Sequence, residues 1–174
     1  MTDGKEMFPL VNEEGVVVGC ATRAYCHSGA KPLHPVVHLH IFNSNGELYL
    51  QKRAMHKDIQ PGKWDTAVGG HVDYGEDVVS ALFREAREEL GVVDFKPSLC
   101  FRYVFESAIE KELVNSFMTC YDGTPTPDLD EVTEGRFWGI DDIRGNIGKG
   151  VFTPNFEAEF ERLQPFINDL PKMK

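Results

Sequence analysis

The chain has 174 residues, of which 41% are hydrophobic, and its 28 acidic and 18 basic side chains give a formal net charge of -10. This composition is typical of one globular domain and argues against a disordered chain. The negative charge disfavours a nucleic-acid partner, and no apolar run approaches the roughly 18 residues that span a membrane. Because residues 1–10 also lack a signal-peptide pattern, we expect a cytoplasmic protein. Its four cysteines have no C-x-x-C pair, so they are predicted to be reduced and mostly buried.

Apolar alternation and turn residues predict the elements of the first half of the chain. In order these are a hairpin at 8–19, a short helix or loop at 22–31, a strand at 36–43, a turn at 43–46, a paired strand at 47–53, a polar loop at 56–63 and a strand at 64–69. His38 and His40 are expected on one face of their strand, because side chains alternate with a period of two.

The second half of the chain is predicted to contain two helices and three further strands. The elements are a helix from Glu76 or Asp77 to Gly91, strands at 95–106, 113–122 and 135–139, and a closing helix at 155–169. Gly91 is a typical helix-ending residue, and the closing helix has apolar residues at helical spacing. Together these elements predict one α+β domain over residues 1–174, with a mixed sheet between helices.

The predicted helix that ends at Gly91 has more carboxylates on one side than solubility requires. Its apolar arc, which is expected to face the core, consists of Val78, Val79, Leu82, Phe83, Ala86 and Leu90. Glu85, Glu88 and Glu89 lie three and four positions apart, so they are neighbours beside that arc. Adjacent carboxylates repel one another, and a divalent cation such as Mg²⁺, which prefers oxygen ligands, would resolve the repulsion. The simpler interpretation is a solvated acidic face in which Arg84 and Arg87 form ordinary salt bridges.

The spacing around this helix favours the metal-binding interpretation. Seven positions form one pattern: Gly70, Glu76, Arg84, Glu85, Glu88, Glu89 and Gly91. With Ala86 and Val92 in the two apolar slots, the stretch resembles, without departure, the Nudix hydrolase signature G-x5-E-x7-R-E-U-x-E-E-x-G-U, in which U is aliphatic. The resemblance implies a Nudix-type α/β/α sandwich with a mixed β-sheet. It also implies Mg²⁺- or Mn²⁺-dependent hydrolysis of a small-molecule diphosphate, typically a nucleoside diphosphate linked to another moiety.

The same resemblance implies a role for each matched position. Glu85, Glu88 and Glu89 would bind the metal, and the backbone carbonyl of Gly70 would complete the coordination. Arg84 would orient a carboxylate, while Glu76 would support the helix. The metal would neutralise the diphosphate and make water a competent nucleophile near neutral pH.

Outside this stretch the chain is similar to one Nudix branch, the type 1 isopentenyl-diphosphate isomerases and their hydrolase-like relatives. The similarity extends over nearly the whole chain, through the segments ATRAYCHSGAKPLH, ELYLQKR, PGKWDTAVGGH and VFTPNF. The isomerases bind a metal with three histidines and two glutamates. By resemblance, a second metal site here would consist of His27, His34, His71, Glu110 and Glu112. Each histidine taken alone would more often be a structural residue.

One position departs from the isomerase pattern. The isomerases place a catalytic cysteine two residues before the histidine of the GH pair, whereas Gly69 stands there in this chain. Isomerisation needs a proton delivered at one carbon and removed at another, and half of that machinery is absent. The complete Nudix signature and the missing cysteine both favour hydrolysis. The alternatives are an isomerase-type enzyme with a substitute acid, and a Nudix-fold sensor that binds a nucleotide without consuming it.

The predicted catalytic residues are Glu88, Arg84 and Glu112. Glu112 is assigned as a general base or an additional metal ligand, because it is expected in a loop between two strands that approach the helix; an exposed loop carboxylate is the equally ranked alternative. The candidates for binding substrate phosphates are Arg23, Lys31, Lys52 and Arg53, although the last two would also suit a solvent-exposed strand end. The expected partner is a small-molecule diphosphate, and the oligomeric state stays open, with a homodimer among the alternatives.

Overall fold

The computed structural model describes residues 6–57 and 60–170, and within them the chain forms nine strands and four helices. The strands are β1 (Met7–Val11), β2 (Val17–Thr22), β3 (Leu33–Phe42), β4 (Leu48–Arg53), β5 (Trp64–Thr66), β6 (Val68–His71), β7 (Ser98–Glu106), β8 (Lys111–Cys120) and β9 (Val132–Trp138). The helices are α1 (Arg23–Cys26), α2 (Val78–Leu90), α3 (Ile140–Asn146) and α4 (Pro154–Asn168). None of the helices in these ranges combines the length and apolar character that crossing a bilayer requires.

Seven strands form one mixed sheet, and β1 and β2 form a separate hairpin. The parallel pair at the centre of the sheet is β3 with β8, in register from Leu33 opposite Lys111 to Phe42 opposite Cys120. The other pairs are antiparallel: β7 extends the sheet beyond β8, β6 pairs with β3, and β5 and β9 pair with β4. Strands β3 and β4 are paired only at Phe42 and Leu48, so they diverge beyond their turn.

Two hydrophobic clusters cover the two faces of this sheet and confirm the predicted α/β/α sandwich. One cluster packs α2, through Ala81, Leu82, Ala86 and Leu90, against Val37, Leu39 and Ile41 of β3. The other packs α4, through Phe156, Phe160, Leu163 and Ile167, against the opposite face. Strand β3 is accordingly buried at eight of its ten positions, as expected for a central strand of a sheet that is covered on both sides.

Helix α2 begins and ends where its sequence predicts. The side chain of Asp77 accepts a hydrogen bond from the Ser80 amide at 2.8 Å, which satisfies one of the free N–H groups of the first turn. Gly91 ends the helix with φ +65°, a left-handed conformation that other residues adopt only with strain. These local signals fix the helix, and packing of its apolar face fixes its rotation. That rotation differs from the prediction at one residue, because Val79 is 47% exposed and Ala81 is buried instead.

Several boundaries and one element also differ from the prediction. The expected strand at 64–69 is two strands, β5 and β6, which pair with different neighbours. Helix α3 was not predicted, since its seven residues include a glycine and an asparagine and give too short a pattern. Of the four cysteines only Cys26 is buried, so the expectation of mostly buried thiols is wrong, although all four are free. Asp58 and Ile59 of the predicted polar loop lie outside the described residues, as do 1–5 and 171–174, so one domain over 1–174 stays a prediction.

Candidate active site

Glu85 of α2 meets the backbone of β6 at Gly70, and Glu88 and Glu89 lie beside it on the same helix. The carboxyl group of Glu85 lies directly over Gly70: a side-chain carbon at that position would overlap the Glu85 carboxyl carbon and would lie 2.5 Å from its Oε2. Only glycine leaves this space, which is why β6 can approach the helix so closely. Glu85 is mostly enclosed, with 16% of its side chain exposed, whereas the side chain of Glu88 is 52% exposed.

Glu89 completes this group, and its surroundings disfavour the charged form of its carboxyl group. Burial raises the pKa of Glu89 well above its usual range, and its hydrogen bond with Glu85 and the negative charge of Glu85 raise it further. Two enclosed carboxylates in contact require either a shared proton or a cation between them. Oxygen ligands held this close together suit Mg²⁺ or Mn²⁺, so the residues present fit the metal that the sequence implies.

Arg84 holds the carboxylates in place. Its guanidinium donates to Glu76 at 2.8 and 3.0 Å, to Glu85 at 2.8 Å and to Glu88 at 3.4 Å. A further hydrogen bond of 3.0 Å reaches the backbone oxygen of His71. Arg84 therefore connects α2 to β6, and its position matches the orienting role that the resemblance implies for it. Its hydrogen bonds lower the pKa of Glu76.

A second cluster lies beside the first, where β6 ends at His71. Ligand atoms of His27, His34, His71 and Glu110 lie within 4.8 Å of one another, although these residues come from the C-cap of α1, from β3, from β6 and from the β7–β8 turn. Glu110 Oε1 lies 3.0 Å from His27 Nε2 and 3.6 Å from His34 Nε2. The ring of Phe8, from the β1–β2 hairpin, stacks on His71 with centroids 4.5 Å apart and closes one side of the cluster.

Three buried polar atoms of this cluster have no hydrogen bond among the described residues, although His34 Nδ1 is bonded to the Pro32 carbonyl and Glu110 Oε1 is at ion-pair distance from His27. His34 Nε2, His71 Nε2 and Glu110 Oε1 are all buried without one. Such atoms are costly unless something satisfies them, and a metal ion does so. Burial lowers the pKa of His71 to about 3, so its imidazole is neutral at pH 7, which is the form that binds metals. The donor set therefore fits a divalent cation with mixed nitrogen and oxygen ligands.

Glu112 extends the second cluster toward the first one. The prediction that it lies in a loop is wrong, because it is in β8 opposite His34 of β3. Its Oε2 is 3.8 Å from His71 Nε2. Burial and the neighbouring charge of Glu110 raise the pKa of Glu112. The alternative of an exposed loop carboxylate is excluded, because only 16% of its side chain is exposed.

Two adjoining cavities, of about 430 and 750 Å³, lie over the carboxylates, and both are in the range of small-molecule sites. They share six lining residues: His38, Arg53, Lys57, Gly69, Glu85 and Glu88. The larger cavity also reaches Gly70, His71, Arg84 and Glu112, so it connects the two clusters. One space therefore adjoins residues of both candidate metal sites.

Two of the four predicted phosphate-binding cations line the cavities, and two do not. Arg53 lines both cavities and Arg23 lines the larger one, whereas Lys31 and Lys52 line neither. Lys31 is instead paired with Glu106 at 2.5 Å. Lys57, which was not among the predicted cations, lines both cavities and is paired with Glu131. Lys57 has no signal in the sequence beyond its place in a polar loop.

Gly69, which stands where the isomerases have a cysteine, borders both cavities. Gly69 is in β6, pairs with His38 of β3 and lines both cavities. A side-chain carbon there would lie 3.5 Å from Cδ2 of the His38 ring, an ordinary contact. Room for a side chain therefore exists, and its absence leaves one edge of His38 uncovered.

Comparisons with known proteins agree with this geometry. Residues 32–156 match the model of the NUDIX domain. The chain is 31% identical over 159 residues to isopentenyl-diphosphate Delta-isomerase 1 of Photorhabdus laumondii, covering 87% of this chain and 90% of that protein. It is 34% identical over 139 residues to isopentenyl-diphosphate Delta-isomerase of Mycolicibacterium vanbaalenii, covering 76% and 77%. The crystal structure of DR0079 from Deinococcus radiodurans is similar, with a TM-score of 0.76, 26% identity and coverage of 91% and 99%.

The family match covers well over half of the chain, and it includes Gly70 of β6 and the carboxylates of α2. The two relatives exceed 30% identity over most of their own lengths. His34, His71 and Glu110 of the second cluster also lie within the family match, whereas His27 precedes it. The chain belongs to the Nudix family, and it is similar to the isopentenyl-diphosphate isomerases of that superfamily.

Proposed function

We propose that the protein is a metal-dependent hydrolase that cleaves the P–O–P linkage of a nucleoside-diphosphate-linked or related small molecule. The observation that supports this most strongly is the group of Glu85, Glu88 and Glu89: Glu85 lies over Gly70 and is hydrogen-bonded to Glu89, and Arg84 binds both Glu85 and Glu88. Such a group of carboxylates is costly without a cation and suits one that also binds phosphate oxygens. A cavity of small-molecule size adjoins it.

The metal proposed for this site is Mg²⁺ or Mn²⁺, held by Glu85, Glu88, Glu89 and the Gly70 carbonyl. A second cation would be held by His27, His34, His71 and Glu110, with Glu112 beside them. When bound, such cations supply neutralisation of the diphosphate charge and a lower pKa for water. The same proposal includes a cytoplasmic location and no nucleic-acid partner; a homodimer stays a prediction.

The remaining roles belong to side chains of the chain itself. Arg23 and Arg53 face the cavities and would bind phosphate oxygens, with Lys57 beside Arg53. Glu112 would accept a proton as general base or complete the second metal site. Arg84 is a positioning residue, because its hydrogen bonds go to carboxylates and to a backbone oxygen.

The experiment is a hydrolysis screen in Mg²⁺ and in Mn²⁺, over nucleoside diphosphate sugars, dinucleoside polyphosphates, ADP-ribose, NADH and isoprenoid diphosphates, with products identified by mass spectrometry. Glu88→Gln removes one proposed ligand charge with little change in shape, and we expect it to lower turnover at least a hundredfold. Glu161→Gln is the matched control, since Glu161 is an exposed carboxylate on α4. Equal turnover by Glu88→Gln and wild type would refute the site.

Isomerisation of isopentenyl diphosphate is the second candidate, favoured by the histidine cluster and by the names of the two relatives. It requires an acid that replaces the cysteine absent at Gly69. Incubation of isopentenyl diphosphate with the Mg²⁺-loaded protein tests this function. Failure to form dimethylallyl diphosphate would exclude it. A sensor, in contrast, would bind a nucleotide in the same screen and release no product.

A further inference from the structure

A buried carboxylate lies behind the cavity, on the α4 side of the sheet. Glu159 of α4 is 1% exposed and accepts hydrogen bonds from His38 Nδ1 at 2.8 Å, His40 Nε2 at 2.5 Å and Ser116 Oγ at 2.8 Å. The hydroxyl of Tyr103 donates a fourth. Burial alone would raise the pKa of Glu159, but the charge of His38 and these hydrogen bonds hold it well below its usual range. Glu159 is therefore an ionised group in the core.

His38 is the counter-charge of Glu159 and lies between it and the cavity. Burial alone would lower the pKa of His38, but the charge and hydrogen bond of Glu159, with the smaller effects of the Glu112 and Asp65 charges, raise it to about 9. Its Nδ1 faces Glu159, and 21% of its side chain is exposed. The ring lines both cavities, together with Glu85 and Glu88. His38 thus presents a fixed cation to the space beside the α2 carboxylates.

The opposite edge of the His38 ring has no side chain from position 69 against it. No described residue forms a hydrogen bond with Nε2. The side chain that would stand over this edge is the one at position 69, which is glycine: its Cβ would lie 3.8 Å from Nε2. A longer side chain there would reach across Nε2 and separate it from the cavity. Gly69 and His38 are therefore two parts of one feature, an N–H group that is open to a ligand.

The other cations at the cavities are paired with carboxylates, and these include Arg84, which lines the larger cavity and is bound by Glu76 and Glu85. Arg53 is 3.8 Å from Asp65, Arg23 is 3.2 Å from Glu6, and Lys57 is paired with Glu131. A diphosphate must compete with those carboxylates for each of these side chains. The counter-charge of His38 is instead Glu159, which lies in the core and leaves the Nε2 edge available. An anion can therefore bind His38 without breaking its ion pair.

We propose that His38, held by Glu159 and left uncovered by Gly69, is a phosphate-binding residue that donates its Nε2–H to an oxygen of the substrate diphosphate. This inference rests on the proposed function, since it concerns the same substrate. Glu159 acts through His38 and is a positioning residue. A charge-assisted hydrogen bond of this kind is among the stronger contacts that a protein offers a phosphate.

Binding of methylenediphosphonate, a diphosphate that cannot be hydrolysed, tests the proposal without any turnover. We expect His38→Gln to weaken binding to the Mg²⁺-loaded protein about tenfold, measured by isothermal titration calorimetry. His56→Gln is the matched control, because His56 is an exposed histidine in the loop after β4, and it should bind as wild type does. Equal affinity of a folded His38→Gln variant and wild type would overturn the proposal, and so would a wild-type protein that does not bind the probe.

Two further measurements keep the test decisive if His38→Gln does not fold. In nitrogen-15 spectra of the wild type, the His38 Nε2–H signal should shift when methylenediphosphonate is added; an unmoved signal in a protein that binds the probe would refute the contact. Gly69→Val leaves His38 and Glu159 intact and should weaken binding by a similar factor, while Gly69→Ala should have little effect. Equal binding by Gly69→Val and wild type would also contradict the proposal.

These outcomes separate the inference from the function on which it rests. If Glu88→Gln abolishes hydrolysis and His38→Gln binds the probe as wild type does, only the role of His38 is wrong. If Glu88→Gln retains full turnover, the proposed hydrolytic site is wrong, whatever His38 binds.

Discussion

Replacing Glu159 by Gln removes the charge that keeps His38 protonated in the folded protein. The pKa of His38 is about 9 in the folded state and 6.5 in its unperturbed state. At about 1.4 kcal/mol for each pH unit, this difference corresponds to about 3 kcal/mol of folding free energy. A histidine whose folded pKa is raised contributes stability that is fully present below its unfolded pKa and is lost as pH rises through its folded pKa. The contribution of His38 should therefore be complete at pH 6 and nearly absent above pH 9.

Urea unfolding of wild type and Glu159→Gln, measured at intervals from pH 6 to pH 9, checks this reasoning. The stability of wild type should fall by about 3 kcal/mol more than that of the variant over this range. Glu89 titrates there in both proteins, so the difference between the two curves reports the loss of the Glu159 charge, together with the change that the neutral His38 causes in Glu112. Parallel curves would show that Glu159 does not hold His38 charged. Nuclear magnetic resonance titration of the His38 ring gives the same pKa directly.

Three other changes test single features of the fold and the candidate site. Gly70→Ala should lower metal-dependent turnover at least tenfold, because the new methyl group overlaps the Glu85 carboxyl group; turnover and a circular dichroism spectrum of the folded variant measure this, and full activity would contradict it. His71→Ala should reduce the bound metal by about one equivalent, counted by elemental analysis after dialysis, and equal metal content would argue against the second site. Gly91→Ala should lower the free energy of unfolding by about 1 kcal/mol, since alanine is strained in the left-handed conformation at φ +65°; an unchanged urea midpoint would refute that.

The local features of this protein were predictable from its sequence. Helix α2 has short-range signals at every stage: a capping residue at Asp77, an apolar arc of helical period and a glycine at its end. The carboxylates of Glu85 and Glu89 are neighbours because four residues make about one helical turn. The Nudix spacing could be recognised for the same reason, since most of its positions lie within this one helix and the loop before it.

The parts that the sequence analysis missed or misplaced depend on contacts between distant segments. Glu112 was expected in a loop, but its pairing partner in β3 is 78 positions away, and that register draws it into β8. The boundary between β5 and β6 is set by their pairing with different strands, and nothing in the sequence from Trp64 to Gly69 indicates that change of partner. The pairing of His38 with Glu159 was also missed, although Glu159 falls on the apolar face of α4, where a carboxylate needs an explanation.

The sequence by itself determined the family, the α/β/α sandwich and the carboxylate helix, because these follow from periodicity and spacing within short segments. Only the tertiary structure decided which side chains share a cavity. His38 and Glu159 are 121 positions apart, and they meet because β3 lies at the centre of the sheet and α4 covers its face. From the sequence, Gly69 could be recognised only as the position that lacks the isomerase cysteine. The tertiary structure shows that this glycine also adjoins His38, so that no side chain from position 69 lies between the His38 ring and the cavity.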